Sequence, residues 1–272
     1  MNATVATQLV FRSAGPMPMS RILRAYVEAA KYEFLGALRV PAFTLPFLFM
    51  PCALYLLFGV LISGAAPAAN ADSLPANISV YMMSGWCAMA AMGPGIFGFG
   101  VALAMERDGG LLKLKRALPL PAGAALFAKM AMAMLFAALA VSSVAVAALA
   151  AGKVTIGFGS LLALVGVMIF GSLPFCAIGL LIGAYFSGNA SPAIANLVYL
   201  PGMWLSGLFF PLPESMRPWA VIWPVFHLNQ TALGAAGVKE FSFVSPLWTG
   251  AVLVAITVLC TGLALRRLAR VG

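Results

Sequence analysis

The sequence predicts an all-α, polytopic membrane protein with six transmembrane helices. Of the 272 residues, 63% are hydrophobic and only 8% are charged, whereas a soluble domain carries roughly 25% charged residues. A soluble fold of this composition would expose large apolar patches and aggregate. One transmembrane helix needs about 20 apolar residues, and the chain contains six apolar segments of about that length. The composition therefore excludes an ordinary soluble enzyme, a disordered chain and a fibre.

The few charged residues mark the boundaries of the segments. A tail at 1–19 and an amphipathic segment at 20–39 precede the transmembrane domain at 40–265, and a basic tail at 266–272 follows it. The predicted spans are 40–63, 79–105, 124–150, 159–186, 192–212 and 243–265. Glycines around Pro94 predict a break or kink in the second span.

The basic residues predict the orientation, because cytoplasmic loops are enriched in Lys and Arg. With the N-terminus in the cytoplasm, twelve basic residues lie in the N-terminal segment, the 106–121 loop and the C-terminal tail, and three lie in the outer loops. Lys129 lies near the start of the third span and is expected to snorkel back to the interface. Both termini are therefore expected to be cytoplasmic. The net charge of +9 is attributed to topology, and no nucleic acid is expected as a partner.

Residues 20–39 predict an amphipathic connector helix on the cytoplasmic membrane surface. Its polar positions include Arg21, Arg24, Lys31 and Glu33. Two interpretations stay open with equal weight. The segment could be a basic signal that only fixes topology, or a helix that also contacts a cytoplasmic partner.

Residues 211–240 contain too many prolines for a regular span and are too apolar for a free loop. They predict an extracytoplasmic re-entrant or interfacial pair of short helices, marked by Pro211, Trp219, Pro224 and His227. His227 is the single histidine of the chain. We expect it to be an interface-seeking side chain rather than a catalytic base.

No catalytic or metal-binding motif is recognisable in the sequence. The four cysteines lie far apart, without a Cys/His spacing that suits a metal. Residues 123–129 lack the second glycine and the Ser or Thr of a phosphate-binding loop. Apart from Lys129 the predicted spans carry no charge, which disfavours proton coupling, although sodium sites built from carbonyl and hydroxyl groups stay open. Active transport would therefore need energy from another polypeptide on the cytoplasmic face.

The loop ERDGGLLKLKRALPLP at 106–121 predicts a cytoplasmic docking helix. Gly109 and Gly110 allow a sharp turn, and residues 111–118 can form a short amphipathic helix that Pro119 ends. A loop that only fixed topology would need basic charge. It would not need an apolar stripe between glycine and proline.

This loop resembles the E-R-E-x-G-T-L-x-x-L-R-x-x-P-L stretch that follows the second span in permease subunits of ABC-2 type transporters. The matching residues are Glu106, Arg107, Gly110, Leu112, Arg116, Pro119 and Leu120. Leu111 and Lys115 depart from the pattern. Residues 205–234, which include the LSG and FP elements, and residues 31–51 are also similar to the family.

The resemblance implies a membrane subunit that is not an enzyme and has no cofactor of its own. ATP and Mg would bind to two copies of a cytoplasmic ABC ATP-binding subunit. The resemblance also implies a second permease copy in a homodimer, located in the cytoplasmic (inner) membrane of a bacterium. The coupling residues would be Glu106, Arg107, Gly110, Leu112, Arg116 and Pro119, with the connector helix beside them.

The expected function is export of an amphipathic or hydrophobic drug, natural product or lipid-like substrate, because the start of the chain resembles drug-type members of the family. Export of a polysaccharide or glycolipid and a non-transporting assembly or anchor role are the alternatives. Candidate residues that line the translocation path are Phe97, Phe99, Trp204, Phe209 and Phe210. Contact with lipid or packing in the core explains each of them more readily. Gly179 and Gly183 form a small-x-x-x-small pair that suits packing of helices or of a dimer.

Overall fold

The computed structural model describes residues 18–62, 77–117, 121, 123–152 and 154–271, and the regular structure in these ranges is helical throughout. We number the helices in chain order. They are α1 (Met19–Leu38), α2 (Pro41–Leu61), α3 (Ile78–Asp108), α4 (Leu111–Ala117), α5 (Ala124–Ala150), α6 (Phe158–Phe170), α7 (Leu173–Tyr185), α8 (Ser191–Leu205), α9 (Arg217–Ala220), α10 (Pro224–Ala235) and α11 (Pro246–Val271).

Within the described ranges, five helical stretches are long and apolar enough to cross a membrane. They are α2, α3, α5, the joined pair α6–α7 and α11. The fifth predicted span, 192–212, is helical only over α8. Its 15 residues reach about 22 Å at 1.5 Å per residue, whereas a hydrocarbon core is about 30 Å thick. The prediction of six crossings therefore exceeds what helix length alone supports.

The residues that flank α8 nevertheless lie near opposite ends of α3. Before α8, the backbone N–H of Gly188 donates a hydrogen bond to Asp108, the last residue of α3. After α8, the carbonyl oxygen of Gly207 accepts a hydrogen bond from the hydroxyl of Tyr81, near the start of α3. The chain from 188 to 207 therefore runs along most of the length of α3.

The second span changes its hydrogen-bonding pattern near Pro94 and does not break. Residues Pro94–Val101 are π-helical and remain within the continuous helix α3. Pro94 has no N–H to donate, and the wider π-helical turn accommodates that loss. The break or kink predicted around Pro94 thus coincides with the π-helical segment of α3.

Glycines on α3 and α7 let these two helices approach closely. A Cβ atom on Gly100 would lie 2.6 Å from the Cα atom of Gly179, and one on Gly179 would lie 2.2 Å from the carbonyl oxygen of Gly95. A Cβ atom on Gly183 would lie 2.7 Å from the carbonyl oxygen of Gly100. The small-x-x-x-small pair thus packs two helices within the chain.

The spans differ in how much of their surface the rest of the chain covers. In the most apolar part of α3, 89% of the residues are buried, against 17% in α2 and in α11. Helix α3 is therefore the centre of the bundle. Helices α2 and α11 lie at its periphery, where their apolar side chains face outward.

Helix α1 packs along the first half of α5. The rings of Tyr26 and Phe127 and those of Phe34 and Phe136 have centroids 5.2 Å apart in each pair. Helix α1 also carries exposed apolar side chains at every fourth position, Met19, Leu23 and Val27. The amphipathic pattern predicted for 20–39 therefore corresponds to a helix with one apolar stripe left uncovered.

Many basic residues gather at one end of the bundle, which we call the charged end. It comprises α1, residues 106–117, the turn at 186–190 and residues 266–270, where Arg267 lies over the ring of Tyr185. The other end, which we call the opposite end, comprises residues 77–86 and 206–243. The predicted helix pair lies there as α9 and α10, and α10 packs against α3, α6 and α11.

Candidate functional site

Four charged side chains, grouped around Lys129, connect four helices at the charged end. The side chain of Lys129 on α5 is only 3% exposed. Its Nζ atom contacts the carboxylate of Glu33 on α1 and lies 2.8 Å from Oε1 of Glu106 on α3. Lys115 on α4 contacts the same two carboxylates, with Nζ 3.1 Å from Oε2 of Glu106 and 3.5 Å from Oε2 of Glu33. We call these four residues the ion cluster.

The ion cluster corrects one expectation from the sequence. Lys129 does not snorkel towards an interface, because its ammonium group is paired inside the chain. Its formal charge and that of Lys115 balance the two carboxylates. Removing one member of such a buried pair leaves an uncompensated charge, which typically costs 3–5 kcal/mol.

The electrostatics of Glu33 reflect its two lysine partners. Burial alone raises the pKa of its carboxyl group. The charges and hydrogen bonds of Lys129 and then Lys115 outweigh burial and hold the pKa of Glu33 below its ordinary value of 4.5. Glu33 is therefore ionised at neutral pH, as the cluster requires.

Arg107 and Asp108 join the end of α3 to the turn between α7 and α8. The guanidinium group of Arg107 donates hydrogen bonds to three backbone carbonyl oxygens at the end of α7, at 2.6 to 2.8 Å. Carbonyl groups in the last turn of a helix have no partner within it, so a basic side chain satisfies them. Asp108 accepts from Arg107 at 3.0 Å and from the backbone N–H of Gly188 at 2.7 Å.

The short helix α4 has one buried and one exposed apolar side. Leu112 is buried and belongs to a cluster with Ala264 and Leu268 of α11. Leu111 and Leu114 are 41% and 62% exposed. Residues three apart share a helix face, so these two leucines form an apolar surface, which we call the α4 surface.

The six predicted coupling residues thus have different surroundings. Glu106 and Arg107 make their polar contacts inside the chain, and Leu112 faces inward. Gly110 has a φ of +74°, in the left-handed region that favours glycine, and it makes the turn between α3 and α4. The side chain of Arg116 and all of Pro119 lie outside the described residues. The α4 surface escaped the sequence analysis, because spacing shows a stripe but not which side of it faces inward.

Three of the four predicted connector-helix residues point outward. Arg21, Arg24 and Lys31 are exposed, and only Glu33 reaches into the bundle. Lys31 has an ion-pair contact with Glu28 at 4.0 Å on the helix surface. Of these four residues, Glu33 is therefore the one whose side chain contacts the bundle, at the ion cluster.

A cavity of about 670 Å³ opens beside the ion cluster. Residues of α1, the start of α2, the second half of α3 and the start of α5 line it. The walls are mainly apolar, and Glu33, Glu106 and Lys129 lie at the polar part of the wall. Phe97, one of the five candidate path residues, lines this cavity.

A second, smaller cavity of about 200 Å³ lies at the opposite end. Trp204, Phe209 and Phe210 line it together with Phe58 and Trp86. Its wall is almost wholly apolar. The indole N–H of Trp86 is buried and has no hydrogen-bond partner among the described residues.

The structure thus divides the five candidate path residues among three places. Phe97 lines the large cavity, and the small cavity is lined by Trp204, Phe209 and Phe210. Phe99 is buried in the cluster that includes Leu103 and Cys176, where it packs α3 against α7. Phe99 therefore faces the core in this chain rather than either cavity.

The predicted re-entrant residues lie at the opposite end. Trp219 and Pro211 are exposed, and Pro224 begins α10. His227 is buried, with Nε2 2.8 Å from the carbonyl oxygen of Val221, so the expectation of an interface-seeking side chain is wrong. Burial lowers the pKa of His227, and the hydrogen bond to Val221 opposes that only in part.

The described residues contain no group of three or more His, Cys, Asp and Glu side chains that could hold a metal ion. The features on which a site can be built are therefore the ion cluster, the α4 surface and the two cavities.

A bundle of long apolar helices, with most of the charges of its described residues at one end, defines a multi-pass membrane protein. The family model of the ABC-2 type transporter matches residues 25–239, which is most of the chain, and the chain belongs to this family. It is accordingly a membrane permease of an ABC transporter, a subunit that is generally not catalytic and that generally works with an ABC ATP-binding subunit. No curated protein matches the chain.

Proposed function

We propose that this permease exports an amphipathic or hydrophobic substrate, such as a drug, a natural product or a lipid-like molecule, out of a bacterial cell. Two permease copies form a homodimer in the inner membrane with two cytoplasmic ATP-binding subunits, which bind ATP and Mg. The charged end faces the cytoplasm. The observation that carries this proposal is that α4 is connected to four neighbouring helices at that end. These are α1, α3 and α5, through the ion cluster, and α11, through Leu112.

The α4 surface is the docking contact in this proposal. Leu111 and Leu114 enter an apolar cleft of the ATP-binding subunit, and the exposed side chain of Lys113 lies on the same short helix. Apolar side chains that are exposed in the isolated subunit gain most from burial against a partner. An apolar helix face with no cover inside the chain supports this role.

Movement of α4 is passed on by the charged end. The ion cluster joins α4 to α1, α3 and α5, and Arg107 joins α3 to the end of α7. A displacement of α4 on ATP binding therefore moves the ends of these helices together. Rigid-body motion of this kind shifts a two-state equilibrium when the partner contacts the two states differently.

The cavities support an apolar substrate rather than a sugar. Sites for small ligands combine apolar walls with a few polar groups that fix orientation. The wall of the small cavity is almost wholly apolar and aromatic. The polar side chains that line the large cavity are Tyr32, Glu33, Glu106 and Lys129. A glycan would need donors and acceptors along the whole wall, so the glycan alternative has less support.

The docking contact is tested by Leu111→Asp combined with Leu114→Asp. We expect this variant to lose co-purification with the ATP-binding subunit and ATP-dependent uptake of substrate into inverted membrane vesicles. Met216→Asp combined with Ile222→Asp, which places the same two charges on exposed side chains at the opposite end, is the matched control and keeps both. Unchanged co-purification and uptake in the Leu111/Leu114 variant would contradict the proposal.

A further inference from the structure

The large cavity combines an apolar chamber with a charged wall in a single chain. Its volume of about 670 Å³ lies within the 300–1,000 Å³ typical of sites for drug-sized ligands. It lies between α1, α2, α3 and α5. It therefore needs no residue from a second permease copy to form its walls.

The charged wall of the cavity presents more negative than positive groups. Glu33, Glu106 and Lys129 line it, whereas Lys115 is not among the lining residues. The carboxylate side chains remain 21% and 18% exposed, and the Lys129 side chain is 3% exposed. A ligand in the cavity therefore meets carboxylate oxygens before it meets the ammonium group.

The two carboxylates also keep free hydrogen-bonding capacity. In the ion cluster each of their four oxygens has one lysine contact, and a carboxylate oxygen accepts about two hydrogen bonds. The remaining capacity suits an N–H donor that carries a positive charge. An anionic headgroup would find no ammonium group of the cluster free to pair with it, since both lysines already contact both carboxylates.

The apolar chamber begins one helical turn from Glu33. Gly36 lines the cavity, and a Cβ atom added to it would meet no other atom within 4 Å. Phe43 and Phe97 supply aromatic wall on the far side, and Ala37 and Ala102 leave room between. A charged head at the carboxylates and an apolar body in the chamber therefore fit together.

We propose that this cavity binds a cationic amphiphile, with a protonated amine on Glu33 and Glu106 and the apolar part between α1, α2 and α3. This inference rests on the proposed function and names the substrate class of the exporter. It places the site at the charged end, within each permease chain.

Binding is tested with a fluorescent probe and its neutral counterpart. The full-length permease is placed in nanodiscs of zwitterionic lipid, without the ATP-binding subunit, and titrated with dansylcadaverine, which has a primary ammonium group. The N-acetyl derivative has the same body without the charge. We expect saturable binding of dansylcadaverine above that of empty nanodiscs. The neutral derivative should bind at least about tenfold more weakly, because it loses charge-assisted hydrogen bonds.

The location of the site is tested by filling the chamber without touching the ion cluster. Gly36→Leu places a side chain in the open space of the cavity, and we expect it to abolish saturable binding. Gly166→Leu is the matched control, because Gly166 is a helical glycine with equally open surroundings outside this cavity. The thermal unfolding midpoint of each variant shows that both are folded.

Three results would overturn the inference. They are equal affinity for the charged and neutral probes, undiminished binding in Gly36→Leu, and preference for a carboxylate-bearing dansyl probe, which would assign the cavity to anionic headgroups. Because the titration omits the ATP-binding subunit, a negative binding result does not contradict the α4 docking contact. Failure of the docking test likewise leaves the titration unaffected.

Discussion

The two ends of the bundle are held together by different interactions. At the charged end, lysines and carboxylates from four helices share one cluster, and Arg107 binds the last carbonyl groups of α7. At the opposite end, the buried contacts join neutral groups, and the charged contacts Glu214–Arg217 and Asn77–Glu240 are exposed. The Oγ atom of Ser84 lies 2.5 Å from Oδ1 of Asn229, and the ring centroids of Trp86 and Phe209 are 4.4 Å apart.

This difference follows from the surroundings proposed for each end. Charged side chains are expensive inside a membrane unless they are paired, so a helix pair that folds back towards the bilayer is held by neutral groups. Long charged side chains suit the end that faces water and a partner protein. In the proposed mechanism the charged end transmits movement, and the opposite end holds a fixed shape.

Lys129→Met gives the largest expected effect, because it leaves Glu33 and Glu106 facing each other without their buried partner. We expect a loss of about 3–5 kcal/mol in the free energy of unfolding, with loss of ATP-dependent uptake. Thermal or denaturant unfolding of the purified permease measures the first effect. Lys113→Met, on an exposed lysine of α4, is the control and should change stability little. Equal stability of both variants would contradict a structural role for the ion cluster.

Ser84→Ala tests the opposite end. It removes the partner of the buried Asn229 side chain, and an unsatisfied buried polar group costs about 1–3 kcal/mol. Co-purification with the ATP-binding subunit should stay unchanged, since the ion cluster and the α4 surface are intact. Ser143→Ala is the control, because the Ser143 hydroxyl donates only to a carbonyl oxygen of its own helix. Loss of ATP-binding subunit association in Ser84→Ala would show that the two ends are not separate in function.

The sequence predicted those features of the two ends that depend on residues close together in the chain. Runs of apolar residues predicted the spans, the charges at 20–39 and 106–121 predicted α1 and α4, and the prolines near 211–224 predicted the short helices of the opposite end. Each of these features can be recognised from local composition alone.

The contacts of the charged end could not be predicted in the same way. Lys129 lies 96 residues from Glu33 along the chain, and Arg107 lies 76 residues from Gly183. A charge near the start of a span is equally consistent with snorkelling and with a buried ion pair. Only the packing of α1 on α5 decides between them, and no local pattern in the sequence specifies that packing.

The smallest expected effect is the dependence of stability on pH through Glu33. The pKa of Glu33 is lower in the folded chain than its ordinary value of 4.5, so its ion pairs contribute fully above that value. The contribution is lost as the pH falls below 4.5 through the lowered pKa, because protonation removes the charge that Lys129 and Lys115 contact. The thermal unfolding midpoint of the permease should therefore decrease across this range. Glu33→Gln should show a smaller decrease, and Glu28→Gln, on the outer part of α1, should show the same decrease as the unsubstituted chain. A pH profile that is identical for all three would mean that the lysines of the ion cluster do not stabilise the ionised form of Glu33.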